Sequence, residues 1–354
     1  MTKVAIITDT HFGARGDKTA LLDHFKEFYE QTFFPELEKR GIDTFWHLGD
    51  LVDRRKFINY HTLQVMKDCF LDRLENYDAH IILGNHDMYY KNVVEPNALT
   101  ELLGEYKFQT YSRPTIVKEQ DITVIPYVCD ETAVKASRMI NAGSTRYCFG
   151  HLQIKNFEMD RGRFAQEGQE MDGFRKFDMV LTGHFHHKSS FNNIHYLGAP
   201  YEMTWRDYKD GRGFHILDTD TGELEYIENQ HRLFHKFVYN DENTDLPTLL
   251  SEVNQRTNLK DGFVKVIIKS KNNSFWFDTF IDKINETGVS DLQISDDHYN
   301  LNVDTDDVIL EQAEDTLTIL NKYIDSAWEV NCDSEKLKNL LKELYDEAAF
   351  LRIS

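Results

Sequence analysis

The sequence has few cysteines, no long apolar run and a shortage of basic residues, and each absence excludes a class of protein. The four cysteines lie far apart with no C-x-x-C pair, so we expect reduced thiols rather than a disulfide framework or a zinc knuckle. No segment approaches the ~18 consecutive apolar residues of a membrane span. The apolar run at residues 4–7 is too short for a secretory signal. We therefore expect a cytoplasmic protein.

The shortage of positive charge limits the possible partners most strongly. The 354 residues include 40 Lys and Arg against 60 Asp and Glu, which gives a formal net charge of −20 at pH 7. A simple nucleic-acid binder usually carries a basic surface, so any phosphate-containing substrate would need cations bound locally. Two interpretations stay open: the acidic groups cluster around metal ions, or the charge only keeps the chain in solution.

The pattern of apolar residues predicts an α/β layered fold. Hydrophobic residues make up 41% of the chain and aromatic residues 13%, which is typical of a globular protein with one large domain and a smaller one. Through the first two thirds, apolar runs alternate with helical patterns. Helices are predicted within residues 18–41 and 60–76, and a hairpin turns at residues 219–222. Strands are predicted over residues 3–8, 44–48, 79–83, 122–127, 145–149, 178–182 and 194–197.

The sequence predicts three parts along the chain. Residues 1–232 carry the dense Asp and His clusters and form the expected catalytic domain. The composition changes at the polar segment YNDENTDLP (239–247). After it, the pattern indicates two strands and a helix, and we predict a small α+β capping domain over residues 233–303. Residues 304–354 predict two amphipathic helices.

Five apolar runs end in short segments that are rich in aspartate, asparagine and histidine. They are TDTHFG (8–13), HLGDLVD (47–53), ILGNHDM (82–88), CFGHLQ (148–153) and VLTGHFHH (180–187). A single Asp-x-His at a strand end is more often a turn with a capping side chain than a metal site. The carboxyl ends of neighbouring strands converge on one edge of an α/β sheet, however, where such folds place their active sites. Five clusters in one chain therefore predict a site for two metal ions.

The side chains in these segments also narrow the choice of metal. Imidazoles, carboxylates and an amide oxygen, with no thiolate, suit Mn, Fe or Zn in five-coordinate or octahedral geometry and argue against structural zinc. We take Mn²⁺ as the first choice and Mg²⁺ as an alternative.

The order of these motifs, D-x-H, G-D-x-x-D, G-N-H-D, G-H and G-H-x-H, resembles that of the calcineurin-like metallophosphoesterases. The resemblance implies a four-layer α/β sandwich that holds two divalent metals. Carried over residue by residue, it implies that Asp9, His11 and His186 hold one metal, that Asn85, His151 and His184 hold the other, and that Asp50 bridges both. His86 would approach the scissile phosphate and protonate the leaving oxygen as a general acid.

Three features favour the nuclease branch of that family, since the fold by itself does not decide the substrate. Arg54, Arg55 and Lys56 lie beside the predicted metals, where they could bind phosphates that flank the cut. The segment YLGAPYEMTWRD (196–207) is similar to one in the SbcD-type DNA repair nucleases, which include tailed-phage members. The small domain and helical tail also follow in the order found there.

The SbcD-type resemblance implies a Mn-dependent DNA nuclease that degrades duplex DNA from 3′ ends and nicks single strands. It would work with a coiled-coil ATPase of the SbcC type in recombination and repair, in the host-cell cytoplasm if the chain is phage-encoded. A homodimer is also implied, through helices near residues 59–74 and 96–103, and would let two active sites face two DNA ends or strands.

One position departs from part of the family. Some members, notably archaeal and eukaryotic ones, have His where this chain has Asp53, and we count Asp53 with His86 as a catalytic residue. A phosphomonoesterase or a cyclic-nucleotide phosphodiesterase is the alternative enzyme. A noncatalytic scaffold that recruits the ATPase is the alternative outside enzymes, and the complete ligand set argues against it.

The tail generates the first testable prediction. Apolar residues recur at heptad spacing in both predicted helices, and Leu337, Leu340, Leu341 and Leu344 supply the anchors of helix-in-groove binding. The apolar faces of the two predicted helices could instead pack on each other or on the small domain. We expect truncation before Asp304 to leave Mn-dependent nuclease activity largely intact and to remove ATPase association in a pull-down. Unchanged ATPase affinity, or loss of folding, would show that the tail is structural.

Overall fold

A computed structural model describes residues 3–160, 162–296 and Leu340. The predicted tail lies outside the described residues, apart from Leu340, which is helical and 52% exposed. No helix within the described ranges is long and apolar enough to cross a membrane.

Strands from all parts of the described chain build the sheets. In chain order they are β1 (Lys3–Ile7), β2 (Thr44–His47), β3 (Asp78–Ile82), β4 (Gln109–Tyr111), β5 (Thr115–Val117), β6 (Ile122–Ile125), β7 (Tyr147–His151), β8 (Glu158–Asp160), β9 (Arg163–Phe164), β10 (Met179–Gly183), β11 (Ser189–Phe191), β12 (Ile194–Tyr196), β13 (Gly213–Asp218), β14 (Leu224–Glu228), β15 (Phe234–Asn240), β16 (Phe263–Ser270) and β17 (Asp291–Asp296). Each of the seven predicted strands is present, and β13 and β14 form the predicted hairpin.

Two six-stranded mixed sheets form the body of the protein. The first has the order β14-β13-β1-β2-β3-β4 and the second the order β11-β12-β10-β7-β6-β5. Within them β1, β2 and β3 are parallel to one another, as are β6, β7 and β10. Their carboxyl ends therefore lie at one edge of each sheet, which positions the motif segments.

The alternation of side chains along the strands explains why the two sheets stack. In β1, Val4 and Ile6 belong to an apolar cluster shared with Phe149 and Leu181 of the second sheet. Ala5 and Ile7 point the other way, into a separate core that includes helical residues such as Phe25. A third cluster covers the outer face of the second sheet. The result is the predicted four-layer α/β sandwich.

Helices cover the outer faces of the sheets. A continuous helical run follows β1 as Thr19–Phe28, the π-helical turn Tyr29–Phe33 and Phe34–Arg40, and it ends at Gly41 with a φ of 63°. A second run consists of Tyr60–Met66, Lys67–Leu71 and Asp72–Leu74. Both runs match the predicted helices. Shorter helices and turns complete the body: Ala14–Asp17, Ala98–Leu102, Lys118–Gln120, Ala133–Ala142, Met171–Lys176 and Trp205–Asp207.

The small unit at the end of the described chain differs from the predicted α+β arrangement. Its strands pair in the order β15-β16-β17 and are all parallel, joined by helices Leu246–Gln255 and Ser274–Asn285. Parallel neighbours require crossover connections, so the unit is an α/β arrangement. Our prediction missed β15 and the first of these helices, because the polar segment between them was interpreted as a linker.

The small unit packs on the body at the start of its first two strands. Phe234 and Phe263 belong to the same apolar core as the helices of the first sheet. The ring of Phe234 also lies 4.8 Å from that of Trp205. The buried carboxylate of Glu202 accepts hydrogen bonds from the backbone N–H groups of Leu233 and Phe234 at 2.7 and 3.0 Å.

Candidate metal centre

The five motif segments meet at one edge of the two stacked sheets. Asp9 and His11 follow β1, Asp50 and Asp53 follow β2, and Asn85 and His86 follow β3. His151 is the last residue of β7, and His184 and His186 follow β10. The structure therefore brings both sheets to a common site, as expected for the carboxyl ends of parallel strands.

Asp9, His11 and His186 form the first donor group. The Nε2 atoms of His11 and His186 are 2.9 Å apart, and each lies 3.9 Å from Oδ1 of Asp9. Asp9 is held by the Thr8 hydroxyl and the backbone N–H of His184, which donate to its carboxylate at 2.7 and 3.1 Å. These three side chains could hold one metal ion.

Asn85, His151 and His184 form the second donor group. Oδ1 of Asn85 lies 3.0 Å from Nε2 of His151 and 2.8 Å from Nδ1 of His184. His151 is oriented from behind, because its Nδ1 donates to the backbone carbonyl of Leu48 at 2.8 Å. This leaves Nε2 as the atom that faces the site.

Asp50 lies between the two groups. Its Oδ2 is 3.6 Å from Nε2 of His11 in the first group and 3.3 Å from Nε2 of His151 in the second. Its other oxygen accepts a hydrogen bond from the backbone N–H of His86 at 2.8 Å. One oxygen is thus anchored to the backbone, and the other is shared by the two donor groups.

The backbone makes room for these side chains at some conformational cost. Asp9, His11, Asp50 and His184 have φ values of 55°, 42°, 56° and 91°, in the left-handed region that side chains disfavour. A Cβ on Gly84 would lie 2.2 Å from the Asp50 carboxylate. The glycine of the G-N-H-D motif is therefore required by close packing.

The electrostatics of the site favour a bound positive charge. Burial alone would raise the pKa of Asp50, but His151 and His86 outweigh it and hold the pKa well below its usual range. Burial likewise opposes protonation of His151, yet Asp50 raises its pKa to about 9. Burial, with His151 nearby, lowers the pKa of His184 to about 3. Asp50 thus attracts a cation, while His184 stays neutral and available as a ligand.

The donor sets fit divalent metals. Two ligands at roughly 2.1 Å from an ion on perpendicular axes lie about 3 Å apart, and the close donor contacts in both groups are 2.8–3.3 Å. Nitrogen and oxygen donors without thiolate suit Mn, Fe, Zn or Mg. The donors come from rigid strand ends, which pre-organises them for a metal.

His86 and Asp53 are half-buried beside the donor groups. Nδ1 of His86 donates to the backbone carbonyl of Asp53 at 2.6 Å, a hydrogen bond that does not use its Nε2. Burial would lower the pKa of His86, but Asp50 and Asp53 overcome it and raise the pKa. The carboxylate of Asp53 itself lies 3.6 Å from Nδ1 of His11. His86 and Asp53 are thus in contact with each other and with a residue of the first donor group, and their catalytic roles stay predictions.

The two arginines of the G-D-x-x-D segment have different settings. Arg54 pairs with Asp17, which also accepts a hydrogen bond from the Thr62 hydroxyl at 2.6 Å. Its guanidinium stacks over the ring of Phe57 at 4.5 Å. Arg55 is close enough to His86 to influence its pKa. Arg54 is therefore engaged by Asp17 and Phe57, whereas Arg55 lies near His86.

Asp87 has a role that the sequence did not reveal. Its buried carboxylate accepts hydrogen bonds from the backbone N–H groups of four residues at 2.9–3.2 Å: Asp50, Leu51, Val52 and Gly84. Asp87 therefore fixes the loop after β2 to the loop after β3. Its motif placed Asp87 near the predicted metal site, but only the fold shows that its carboxylate binds backbone N–H groups.

Arg212 is a second residue whose position could not be predicted. It is 2% exposed, donates to the backbone carbonyl of His186, and pairs with Asp207 and Asp210 at 2.5 and 2.9 Å. His187 contacts the same Asp210 at 3.0 Å. This network holds the loop that carries the last metal-ligand candidates. From sequence, the run DGRG (210–213) would be interpreted as a surface turn, so its arginine would be expected to be exposed.

Comparison with known proteins agrees with this architecture. The fold and the paired donor groups are those of an α/β protein with groups of side chains that could hold metal ions. The family model for calcineurin-like phosphoesterases matches residues 2–188. The chain therefore belongs to the calcineurin-like phosphoesterases, whose members use divalent metals, and the predicted family and α/β class are confirmed.

Two curated proteins are similar to this chain. Exonuclease subunit 1 of Enterobacteria phage T4 is 29% identical over 365 residues, covering 98% of this chain and 99% of that protein. The SbcD component of the SbcCD nuclease of Staphylococcus epidermidis is 25% identical over 253 residues, covering 63% of this chain and 67% of its own length. A solved archaeal phosphodiesterase is 15% identical, covers 64% of this chain and 100% of its own, and has a TM-score of 0.32, too low to support a conclusion.

The contacts of Asp87 generate a second prediction. Asp87→Asn keeps the shape of the side chain but replaces one acceptor oxygen by a donor group, which leaves backbone N–H groups in the interior without partners. We expect a loss of about 2–4 kcal/mol in the free energy of unfolding, measured by urea denaturation in EDTA. Asp130→Asn, at an exposed loop position, is the matched control. Equal stability of the two variants would contradict the role assigned to Asp87.

Proposed function

We propose that this phosphoesterase is a Mn-dependent DNA nuclease that acts as a 3′-5′ exonuclease on duplex DNA and as an endonuclease on single strands. The observation that carries the proposal is the convergence of a full set of donor groups on one site in a chain with a nuclease as its near full-length relative. The second relative is also a nuclease. Neither of these two relatives supports a phosphomonoesterase.

The proposed residue roles are those that the family resemblance implies, and the distances support them. Asp9, His11 and His186 would hold one ion, Asn85, His151 and His184 the other, and Asp50 both. When bound, the ions would supply positive charge that activates water and neutralises the phosphate. That charge matters here because the chain is strongly acidic and would otherwise repel DNA.

His86 is the proposed proton donor. Its Nδ1 is fixed by the Asp53 carbonyl, so a proton delivered to the leaving oxygen would come from Nε2. Asp53 therefore positions His86 through its backbone and adds negative charge that favours the protonated imidazole. Arg55, next to His86, is the proposed contact to a flanking phosphate.

The proposed partners follow from the second relative. That protein is named as one component of an SbcCD nuclease, and by analogy we propose that this chain works with a coiled-coil ATPase through its tail. A homodimer through the helices near residues 59–74 and 96–103 is proposed from the family resemblance. Tyr60 at the start of the first of these regions is 89% exposed, which suits a contact with another chain.

The central experiment compares substrates. Wild-type protein with Mn²⁺ is incubated with 3′-end-labelled linear duplex, circular single-stranded DNA and p-nitrophenyl phosphate, with and without the ATPase. We expect release of nucleotides from the duplex, nicking of the circle and little hydrolysis of the monoester. Rapid monoester hydrolysis without DNA cleavage would favour the phosphomonoesterase instead. Hydrolysis of none of these substrates would favour the scaffold.

A third prediction tests the shared carboxylate. Asp50→Asn removes the negative charge that lies between the two donor groups, so we expect fewer than two Mn²⁺ per chain and no detectable cleavage. Metal content is measured by atomic emission after desalting. Asp172→Asn, whose side chain is 80% exposed, should retain both metals and activity. Full activity of Asp50→Asn with two bound ions would refute the bridging role.

A fourth prediction separates proton transfer from metal binding. His86→Asn should retain both metals and DNA affinity while turnover falls by about 10²–10⁴, the usual contribution of a positioned acid. His195→Asn, on strand β12 of the second sheet, is the control for loss of an imidazole. Reduced metal content in His86→Asn would identify His86 as a ligand.

A further inference from the structure

Exposed aromatic rings and basic side chains lie together beside the metal centre. Phe57, Tyr89 and Tyr90 are 64%, 38% and 51% exposed. The rings of Tyr89 and Tyr90 contact each other edge to face at 4.7 Å. Lys56 lies 5.9 Å from the centre of the Tyr89 ring and joins the two loops. We call Phe57, Tyr89, Tyr90, Lys56 and Lys91 the aromatic-basic patch.

The charge of these loops is opposite to that of the whole chain. Residues 54–63 and 88–94 contain four Lys or Arg and no Asp or Glu, although the chain has 20 more acidic than basic residues. One of the four, Arg54, is paired with Asp17. The patch is therefore a local place where a polyanion can approach. Aromatic rings interleaved with cations are the typical surface for unpaired nucleotides, because bases stack on rings while cations follow the backbone.

The patch residues follow the proposed catalytic residues closely along the chain. The loop that carries Lys56 and Phe57 follows Asp53 directly, and the loop that carries Tyr89 and Tyr90 begins just after His86. The two loops are joined at the site by the hydrogen bond from His86 to the Asp53 carbonyl. A nucleotide on the patch would thus be a neighbour of the phosphate at the metal centre.

The Tyr89–Tyr90 loop is held firmly at its base. The backbone N–H of Tyr89 donates to Pro96 at 3.1 Å, and that of Ala98 donates to Asp87 at 2.7 Å. On the far side, the N–H of Val94 donates to Glu131 at 2.8 Å. These anchors leave the rings exposed on a fixed support, which lowers the entropic cost of binding a flexible strand.

We infer that the aromatic-basic patch binds unpaired bases of the DNA strand next to the phosphate that is cut. The inference rests on the proposed nuclease function and deepens it: the centre would act on strands whose ends are unpaired or frayed. A second copy of this chain is the competing occupant, because the proposed dimer helices lie nearby. The basic residues favour DNA, since two identical positive patches would repel each other.

The experiment measures binding by fluorescence anisotropy in Ca²⁺ with two labelled probes. One probe is an oligothymidylate of twelve nucleotides, and the other is an abasic sugar-phosphate chain of equal length and charge. Because stacking requires a base, wild-type protein should bind the oligothymidylate roughly 5-fold to 100-fold more tightly. The double variant Tyr89→Ala with Tyr90→Ala should lose this preference. The double variant Tyr89→Phe with Tyr90→Phe should retain it, because the rings remain. Phe191→Ala, an exposed ring on edge strand β11, is the control.

Three outcomes would overturn the inference. Equal binding of both probes by wild-type protein would exclude base stacking without reference to any variant. Retention of the preference by the Ala pair would locate the stacking elsewhere. Conversion of a dimeric protein to a monomer in the Ala pair, seen by light scattering, would identify the patch as an interface between copies. Wild-type cleavage of single-stranded and duplex DNA in Mn²⁺ is measured in parallel, and the absence of both would refute the proposed function itself.

Discussion

The approach of one buried carboxylate oxygen to imidazoles from both sheets is the constraint on which the site depends. Oδ2 of Asp50 lies 3.6 Å from His11 and 3.3 Å from His151, and Asp50 is 1% exposed. A buried carboxylate needs compensating positive charge or hydrogen bonds. Gly84 leaves the space that the carboxylate needs, and the backbone N–H of His86 donates a hydrogen bond to its second oxygen.

One segment of the chain connects this centre to the small unit. Between residues 199 and 212, Tyr201 donates to the backbone carbonyl of Thr10 at 2.6 Å, and Glu202 binds the start of β15. Asp207 and Arg212 then support the backbone of His186. The metal-ligand loops and the small unit therefore share their supports.

The acidity of the chain and its proposed substrate are compatible because positive charge is concentrated where it is needed. The donor groups favour bound cations, and basic residues with aromatic rings adjoin them at residues 54–57 and 89–91. Screening limits repulsion from distant acidic groups to about 10 Å at 0.1 M salt. Local cations can therefore dominate the binding of a strand even on a chain with a net charge of −20.

The sequence by itself determined the central strands of the two large sheets, the family and the set of candidate ligands, because apolar runs that end in Asp, Asn and His carry local information. Asp9, Asp50 and His184 could be singled out from their motif positions alone. The tertiary structure decided which donors meet, since His11 and His186 are 175 residues apart yet 2.9 Å from each other. It also showed that Asp87 binds backbone N–H groups and that Arg212 supports a ligand loop. The parallel order of β15, β16 and β17 was likewise beyond the sequence, because strand direction depends on pairing between distant segments.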